Sequence, residues 1–177
     1  AGCWHFMKNF RIQPINMKSE RLVDMSGNKR PKILAIASGG GHWIQLLRLR
    51  PAFLGADLRF ASVNQSLAAD VAGHRFYRFP DANRERKLAL LAQIMRIAWI
   101  LLRVRPDVIV STGASCGYVA IRIGRIFGAR TLFVDSIANA ERLSLSGQLA
   151  CRHANLMLTQ WPHLAANEGP QYRGSVL

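Results

Sequence analysis

Acidic residues are scarce in this chain. Its 177 residues carry 10 Asp and Glu against 24 Lys and Arg, a formal net charge of +14. An imbalance of that size points to an anionic partner: nucleic acid, an anionic lipid surface or a phosphate-bearing substrate. Cysteine is scarce as well. Cys3, Cys116 and Cys151 are odd in number, scattered and without C-x-x-C spacing. That pattern argues against a disulfide framework and a structural zinc site, and it fits a reducing compartment. No uninterrupted run of about 18 apolar residues occurs, so no transmembrane span is expected. Internal repeats and low-complexity stretches are also absent. Residues 1–31 mix basic, polar and apolar types without a period, and lack the apolar core and cleavage site of a secretory signal. They are expected to form a disordered basic extension, with Met17 and Met25 as candidate starts.

What is present is a domain. Half of the residues are apolar, enough at this length for one real core. From Pro31 onward short apolar runs alternate with helical patterns. Strands are expected at 32–37, 58–63, 75–79, 107–110, 131–134 and 155–159, and helices near 42–49, 67–72, 85–104, 118–127 and 143–153. Such alternation predicts a single Rossmann-like α/β domain over 32–170, with a parallel sheet and right-handed crossovers, followed by a short tail at 171–177. In such sheets ligands bind beyond the carboxyl ends of the strands, so three polar loops should gather there: 38–42, 111–117 and 135–142.

The first loop reads Ser38-Gly39-Gly40-Gly41-His42 between a strand and a helix. Glycines let the backbone approach a ligand, and the free N–H groups of a helix N-terminus favour negative charge. His42 sits at the mouth of this turn, where an imidazole can move a proton or hold a phosphate. The second loop, Gly113-Ala114-Ser115-Cys116-Gly117, matches G-x-S-x-G, and Asp135 followed by His153 or His163 completes the chain order of an α/β-hydrolase triad. Against a hydrolase, Asp135 ends the very next strand, and no oxyanion loop precedes the elbow unless residues 39–42 serve. The alternative is a glycine turn opening a helix for phosphate or for packing. In the third loop, Asp135, Ser136, Asn139 and Glu141 offer polar groups at a strand's carboxyl end, more than helix capping alone requires. His74, His153 and His163 show no ligand spacing, so no metal site is expected.

The helix expected at 85–104 is apolar nearly all round. Around it Arg84, Arg86, Lys87, Arg96, Arg103 and Arg105 face only Glu85. Two readings stand: a crossover helix packed deep in the domain, or a face dipping into an anionic membrane through Arg96, Trp99 and Arg103. Nucleic acid explains the charge less well, because no stacking platform or familiar binding motif accompanies it.

Together these segments resemble a family. Gly-Gly-His before a helix, Ser-Thr-Gly-Ala-Ser-Cys-Gly from Ser111, Val-Asp-Ser-Ile-Ala-Asn-Ala-Glu-Arg-Leu-Ser-Leu-Ser-Gly from Val134, and Thr-Gln-Trp-Pro from Thr159 are similar to the Alg14 family and its bacterial PssD-type exopolysaccharide relatives. The glycine loop is shared more loosely with MurG-type transferases. The resemblance implies the N-terminal, acceptor-binding half of a GT-B glycosyltransferase. Such a subunit is active only with an Alg13- or PssE-like donor-binding partner, and it transfers a sugar from a nucleotide-sugar, a UDP-sugar by this expectation, to a polyprenyl-diphosphate-linked acceptor. It implies His42 as general base, with a phosphate-ligand role as the alternative. Ser38, Gly39, Gly40, Gly41, Thr112, Gly113, Ser115 and Gly117 would hold the diphosphate, and Asp135, Ser136, Asn139 and Glu141 would orient the acceptor sugar. The tail would help dock the partner. No cofactor is implied, since the donor belongs mainly to the partner. A noncatalytic membrane scaffold that recruits the partner is the other class of function. Eukaryotic members usually have Glu where this chain has Gln45, Arg at Asn139 and Glu at Asp135, and they carry an N-terminal anchor not seen here. These departures favour the bacterial branch and a peripheral place on the cytoplasmic face of the inner membrane.

Overall fold

The computed structural model describes residues 30–82 and 87–176; the extension expected at 1–31 lies almost wholly outside the described residues, as does the start expected at 85 for the long helix. Seven strands form one parallel sheet: β1 (Lys32–Ile36), β2 (Asp57–Ser62), β3 (Arg75–Arg78), β4 (Val108–Ser111), β5 (Arg130–Val134), β6 (Leu156–Thr159) and β7 (Gln171–Tyr172). Their order is β3-β2-β1-β4-β5-β6-β7, the doubly wound arrangement, with the direction of winding reversing between β1 and β4. Four helices connect them: α1 (Gly41–Leu49), α2 (Lys87–Val104), α3 (Ala114–Ile126) and α4 (Leu145–Cys151).

The central strands are apolar on both faces because helices cover both. Ile33, Ala35 and Ala37 of the β1 segment turn toward α1, where Trp43, Leu46 and Leu49 are buried with Phe60, Val110 and Val134. Trp43 meets Phe60 and Phe76 edge-on at 5.8 and 6.0 Å, contacts that add about 0.5–1.5 kcal/mol each beyond area burial. Leu34 and Ile36 turn the other way, onto Ile97, Ile100 and Leu101 of α2 and Ala120 and Ile121 of α3.

Two expectations are corrected. The segment 67–72 is not α-helical: Gln65–Val71 is a 3₁₀ helix capped by Asn64, whose side chain accepts the Ser66 N–H at 3.0 Å. At about 2.0 Å per residue rather than 1.5 Å, the tighter helix carries a short connection farther along the sheet. The tail is not an appendage, since Gln171–Tyr172 adds β7 and Val176 is buried in the α1-side core. The long helix is compatible with both readings of its sequence, since α2 has one packed face and one exposed face. Gln93, Ile97, Ile100, Leu101 and Val104 are buried, whereas Leu88, Leu91, Met95, Trp99 and Leu102 form an exposed stripe, from 84% at Leu88 to 46% at Trp99.

Candidate functional site

The reversal of winding leaves a crevice beyond the carboxyl ends of β1 and β4, and two glycine turns meet there. Gly40 (φ 65°) closes the β1–α1 turn as the N-cap residue of α1, and its carbonyl accepts the N–H groups of Trp43 and Ile44 at 3.1 and 3.2 Å. Gly113 (φ 132°) is the N-cap residue of α3. Neither helix has a side-chain cap or an acidic residue in its first turn. By contrast, Ser144 caps α4 by accepting the Gly147 N–H at 2.8 Å. The N–H groups of Gly41 and His42 in α1 and those of the first turn of α3 therefore remain for an anion. Ala114, which opens α3, has φ 63°, a left-handed conformation costing about 1–2 kcal/mol in a residue with a Cβ.

His42 ties the two turns together. Its Nδ1 lies 2.9 Å from the Thr112 carbonyl oxygen, and the Thr112 hydroxyl donates back to the His42 carbonyl at 2.6 Å. The ring lies so close to Gly113 that a Cβ there would fall 2.5 Å from both Cε1 and Nδ1. Glycine at 113 is thus required twice, by its φ and by the imidazole.

The third loop hangs from Asp135. Its carboxylate is buried and accepts the Ser144 N–H at 2.8 Å, the Ser144 hydroxyl at 2.7 Å and the Asn139 amide at 3.2 Å. Its carbonyl accepts both Gln45 Nε2 (3.2 Å) and Gln160 Nε2 (2.8 Å). Gln45 Oε1 takes the Ile137 N–H, and Gln160 Oε1 takes that of Val176. Trp161 Nε1 donates to the Ile137 carbonyl at 2.9 Å, and His163 Nε2 lies 2.6 Å from that of Ala140. An open cleft of about 240 Å³ results, with His42 and Ala114 on one side and Ser136, Asn139, Ser144 and Ser146 on the other.

The structure thus brings His42, Ser136 and Asn139 to one cleft. Gly40 and Gly41, next to His42 in the chain, are exposed with nothing within 4 Å of where a Cβ would point; they, Gly39 and half-buried Ser38 do not line the cleft. Other expected contacts are placed elsewhere. Thr112 is fully buried and reaches the cleft only through His42. Ser115 is half-buried in the first turn of α3 and does not line the cleft. Gly117 packs on β4, where a Cβ would sit 2.0 Å from Ser111 Oγ. Asp135 spends its carboxylate on the loop, and Glu141 is exposed away from the lining. Sequence reasoning missed Gln45 and Gln160; an amide on the apolar face of α1 was the legible sign of the first.

No hydrolase triad is assembled. Asp135 is held by Ser144 and Asn139, His42 by Thr112, and His163 by Ala140, while the His153 ring lies against Tyr118 at 5.9 Å. Ser115 also lacks the strained turn of a nucleophile elbow; the positive φ values belong to Gly113 and Ala114. Cysteine chemistry is no better placed. Burial pushes the Cys116 thiol up to about 12, and burial followed by the Asp135 charge raises that of Cys151. Among the described residues no group of three or more His, Cys, Asp or Glu side chains could hold a metal ion.

Residues 82–176 match the family described as "Oligosaccharide biosynthesis protein Alg14 like". The UDP-N-acetylglucosamine transferase subunit ALG14 of Rattus norvegicus is 24% identical over 165 residues, covering 75% of this chain and 76% of that protein. Among solved structures, MurG of Acinetobacter baumannii superposes with a TM-score of 0.65 at 12% identity, covering 80% of this chain and 45% of that one. UDP-N-acetylglucosamine 2-epimerase of Rickettsia bellii gives 0.63 at 13% identity, covering 84% and 46%. The chain therefore has the fold of, and spans less than half the length of, these two enzymes.

Proposed function

This chain belongs to the Alg14-like family of oligosaccharide biosynthesis proteins, and on that premise we propose that it is the acceptor-side subunit of a two-chain, inverting glycosyltransferase. The observation that carries the reading is the crevice itself: two uncapped helix N-termini flank His42 at the point where the sheet reverses. One α/β domain is half of what a two-domain transferase needs, so an Alg13- or PssE-like partner brings the nucleotide-sugar. A UDP-sugar is the donor, as the name of the rat relative indicates for that protein.

In this assignment the acceptor is a sugar on a polyprenyl diphosphate. The N–H groups of the β1–α1 and β4–α3 turns, including those of residues 39–41, take the diphosphate. Ser136 and Asn139 contact the sugar, while Asp135 acts at one remove by fixing the loop that carries them. The acceptor hydroxyl oxygen attacks the anomeric carbon of the donor. The bond from that carbon to the phosphate oxygen breaks, UDP departs with the electron pair, and the hydroxyl proton passes to His42.

The lipid tail places the reaction at a membrane, and α2 supplies a face for it. Its exposed stripe is bordered by Lys87, Arg96 and Arg103, with the Arg96 guanidinium 4.4 Å above the Trp99 ring. Helices α2, α3 and α4 contain no Asp or Glu at all, which suits an anionic leaflet. The attachment proposed is peripheral, through this face of α2, on the cytoplasmic face of a bacterial inner membrane; no helix among the described residues is long and apolar enough to cross a membrane.

The test is reconstitution with the donor-binding partner on vesicles containing a polyprenyl-diphosphate-linked sugar, with labelled UDP-N-acetylglucosamine as first donor. Transfer that requires both chains is expected. Equal transfer by the partner alone would reduce this chain to a scaffold.

A further inference from the structure

We propose that Thr112 and Gly113 are positioning residues that hold His42 as its Nδ1–H tautomer, leaving Nε2 bare toward the cleft. The inference rests on the reading of His42 as the proton acceptor in transfer, and it specifies which nitrogen accepts. A carbonyl oxygen can only accept a hydrogen bond, so the 2.9 Å contact between His42 Nδ1 and the Thr112 carbonyl requires the proton on Nδ1. Nε2 makes no hydrogen bond to another described residue, and His42 lines the cleft. A neutral ring of this tautomer accepts a proton from a hydroxyl at Nε2 and has no hydrogen there to donate to a phosphate oxygen. In the neutral ring this tautomer therefore favours the base over the phosphate ligand.

Three features of the second loop fix the ring in this state. The Thr112 hydroxyl, buried with the rest of its side chain, donates to the His42 carbonyl at 2.6 Å and locks the peptide that carries the ring. The Thr112 carbonyl orients the ring through Nδ1. Gly113, lacking a Cβ, leaves room for the ring edge bearing Cε1 and Nδ1. When Nε2 takes the proton, the Nδ1–H···O bond becomes charge-assisted and roughly doubles in strength. The carbonyl thus favours the protonated ring as it forms. It serves as a neutral counterpart of the carboxylate that orients histidine in a hydrolase triad.

The experiment is a long-range proton–nitrogen NMR spectrum of the full chain in its partner complex, labelled with ¹⁵N-histidine and with His42 assigned by its loss in His42→Gln. A protonated Nδ1 and a bare Nε2 in the neutral ring are expected. A proton on Nε2, or a mixture of tautomers, overturns the proposal whatever the activity. Thr112→Val is expected to lower kcat about tenfold, the equivalent of one hydrogen bond, with KM unchanged. Thr112→Ser, which keeps the hydroxyl, is expected to retain the parent kcat. Equal kcat in the valine and serine variants overturns the role of the hydroxyl. Full transfer by His42→Gln alongside the expected tautomer would instead sink His42 as the base, and absence of transfer by the parent complex would sink the transferase reading, so the failures are distinguishable.

Discussion

Replacing Asp135 by Asn separates a carboxylate that holds a loop from one that meets a ligand. The side chain is 1% exposed and receives three donors: the Ser144 N–H, the Ser144 hydroxyl and the Asn139 amide. An asparagine of the same shape keeps one acceptor oxygen and presents an NH₂ in place of the other. If the NH₂ takes the Oδ2 position it faces the Ser144 N–H, and at the Oδ1 position it faces the Asn139 amide. Either way a part-buried donor loses its acceptor, at about 1–3 kcal/mol, and the remaining bonds lose their charge assistance. We expect a total near 3 kcal/mol. For a chain of this length that lowers Tm by about 6–12 °C, read by calorimetry or thermal circular dichroism. Hydrogen exchange should quicken at the Ser144 and Gly147 amides, because Ser144 also caps α4. Asp135→Ala, which abandons all three donors, should cost more, about 4–5 kcal/mol. An Asp135→Asn protein that melts within about 2 °C of the parent and loses transfer would refute the positioning role. The carboxylate would then be acting on the acceptor directly.

Other expected outcomes follow from single contacts. Gly117→Ala forces a Cβ to within 2.0 Å of Ser111 Oγ and should destabilise by about 1–3 kcal/mol; Ser111→Ala in the same chain should recover much of that loss in a melt. The raised value of about 12 for Cys116 leaves roughly one thiol in 10⁴ ionised at pH 8. Iodoacetamide should therefore label Cys116 in the native chain only as fast as the domain opens, as peptide mass spectrometry would show; prompt labelling would contradict its burial. Leu91→Gln with Arg103→Glu should weaken binding to vesicles rich in anionic lipid, and salt should weaken the parent's binding in parallel. Binding indifferent to salt would remove the electrostatic part of the membrane face.

Much of the fold was legible because β1, β2, β4, β5 and β6 are short apolar runs separated by helical patterns. Strands buried on both faces have to read that way. The strand 171–172 was not legible, since two residues carry no period, and its tail is held by Val176 and Gln160 across a distance in sequence that no pattern records. At the site, the two glycine turns announced themselves, but their reasons differ. Gly113 makes room for His42, whereas Gly117 makes room for Ser111, and a motif of the form G-x-S-x-G does not distinguish a ligand contact from packing. Asp135 stood out as a carboxylate at a strand end. Its true partners, Ser144 and Asn139, lie within nine residues of it, and the loop closes on itself rather than on a ligand. The outer face of α2 was ambiguous in the sequence for a physical reason: a helix apolar all round satisfies a core and a membrane equally, and only the packing of Ile97 and Leu101 shows which side is left over.

The central assignment is that His42 takes the acceptor proton. Its most direct test is the steady-state rate of the reconstituted two-chain complex at saturating acceptor, the parent against His42→Ala. A fall in kcat of about 10²–10⁴-fold is expected, with the complex intact and Tm lowered by about 2–4 °C for the lost bond to Thr112. An unchanged kcat in an intact complex would contradict the assignment.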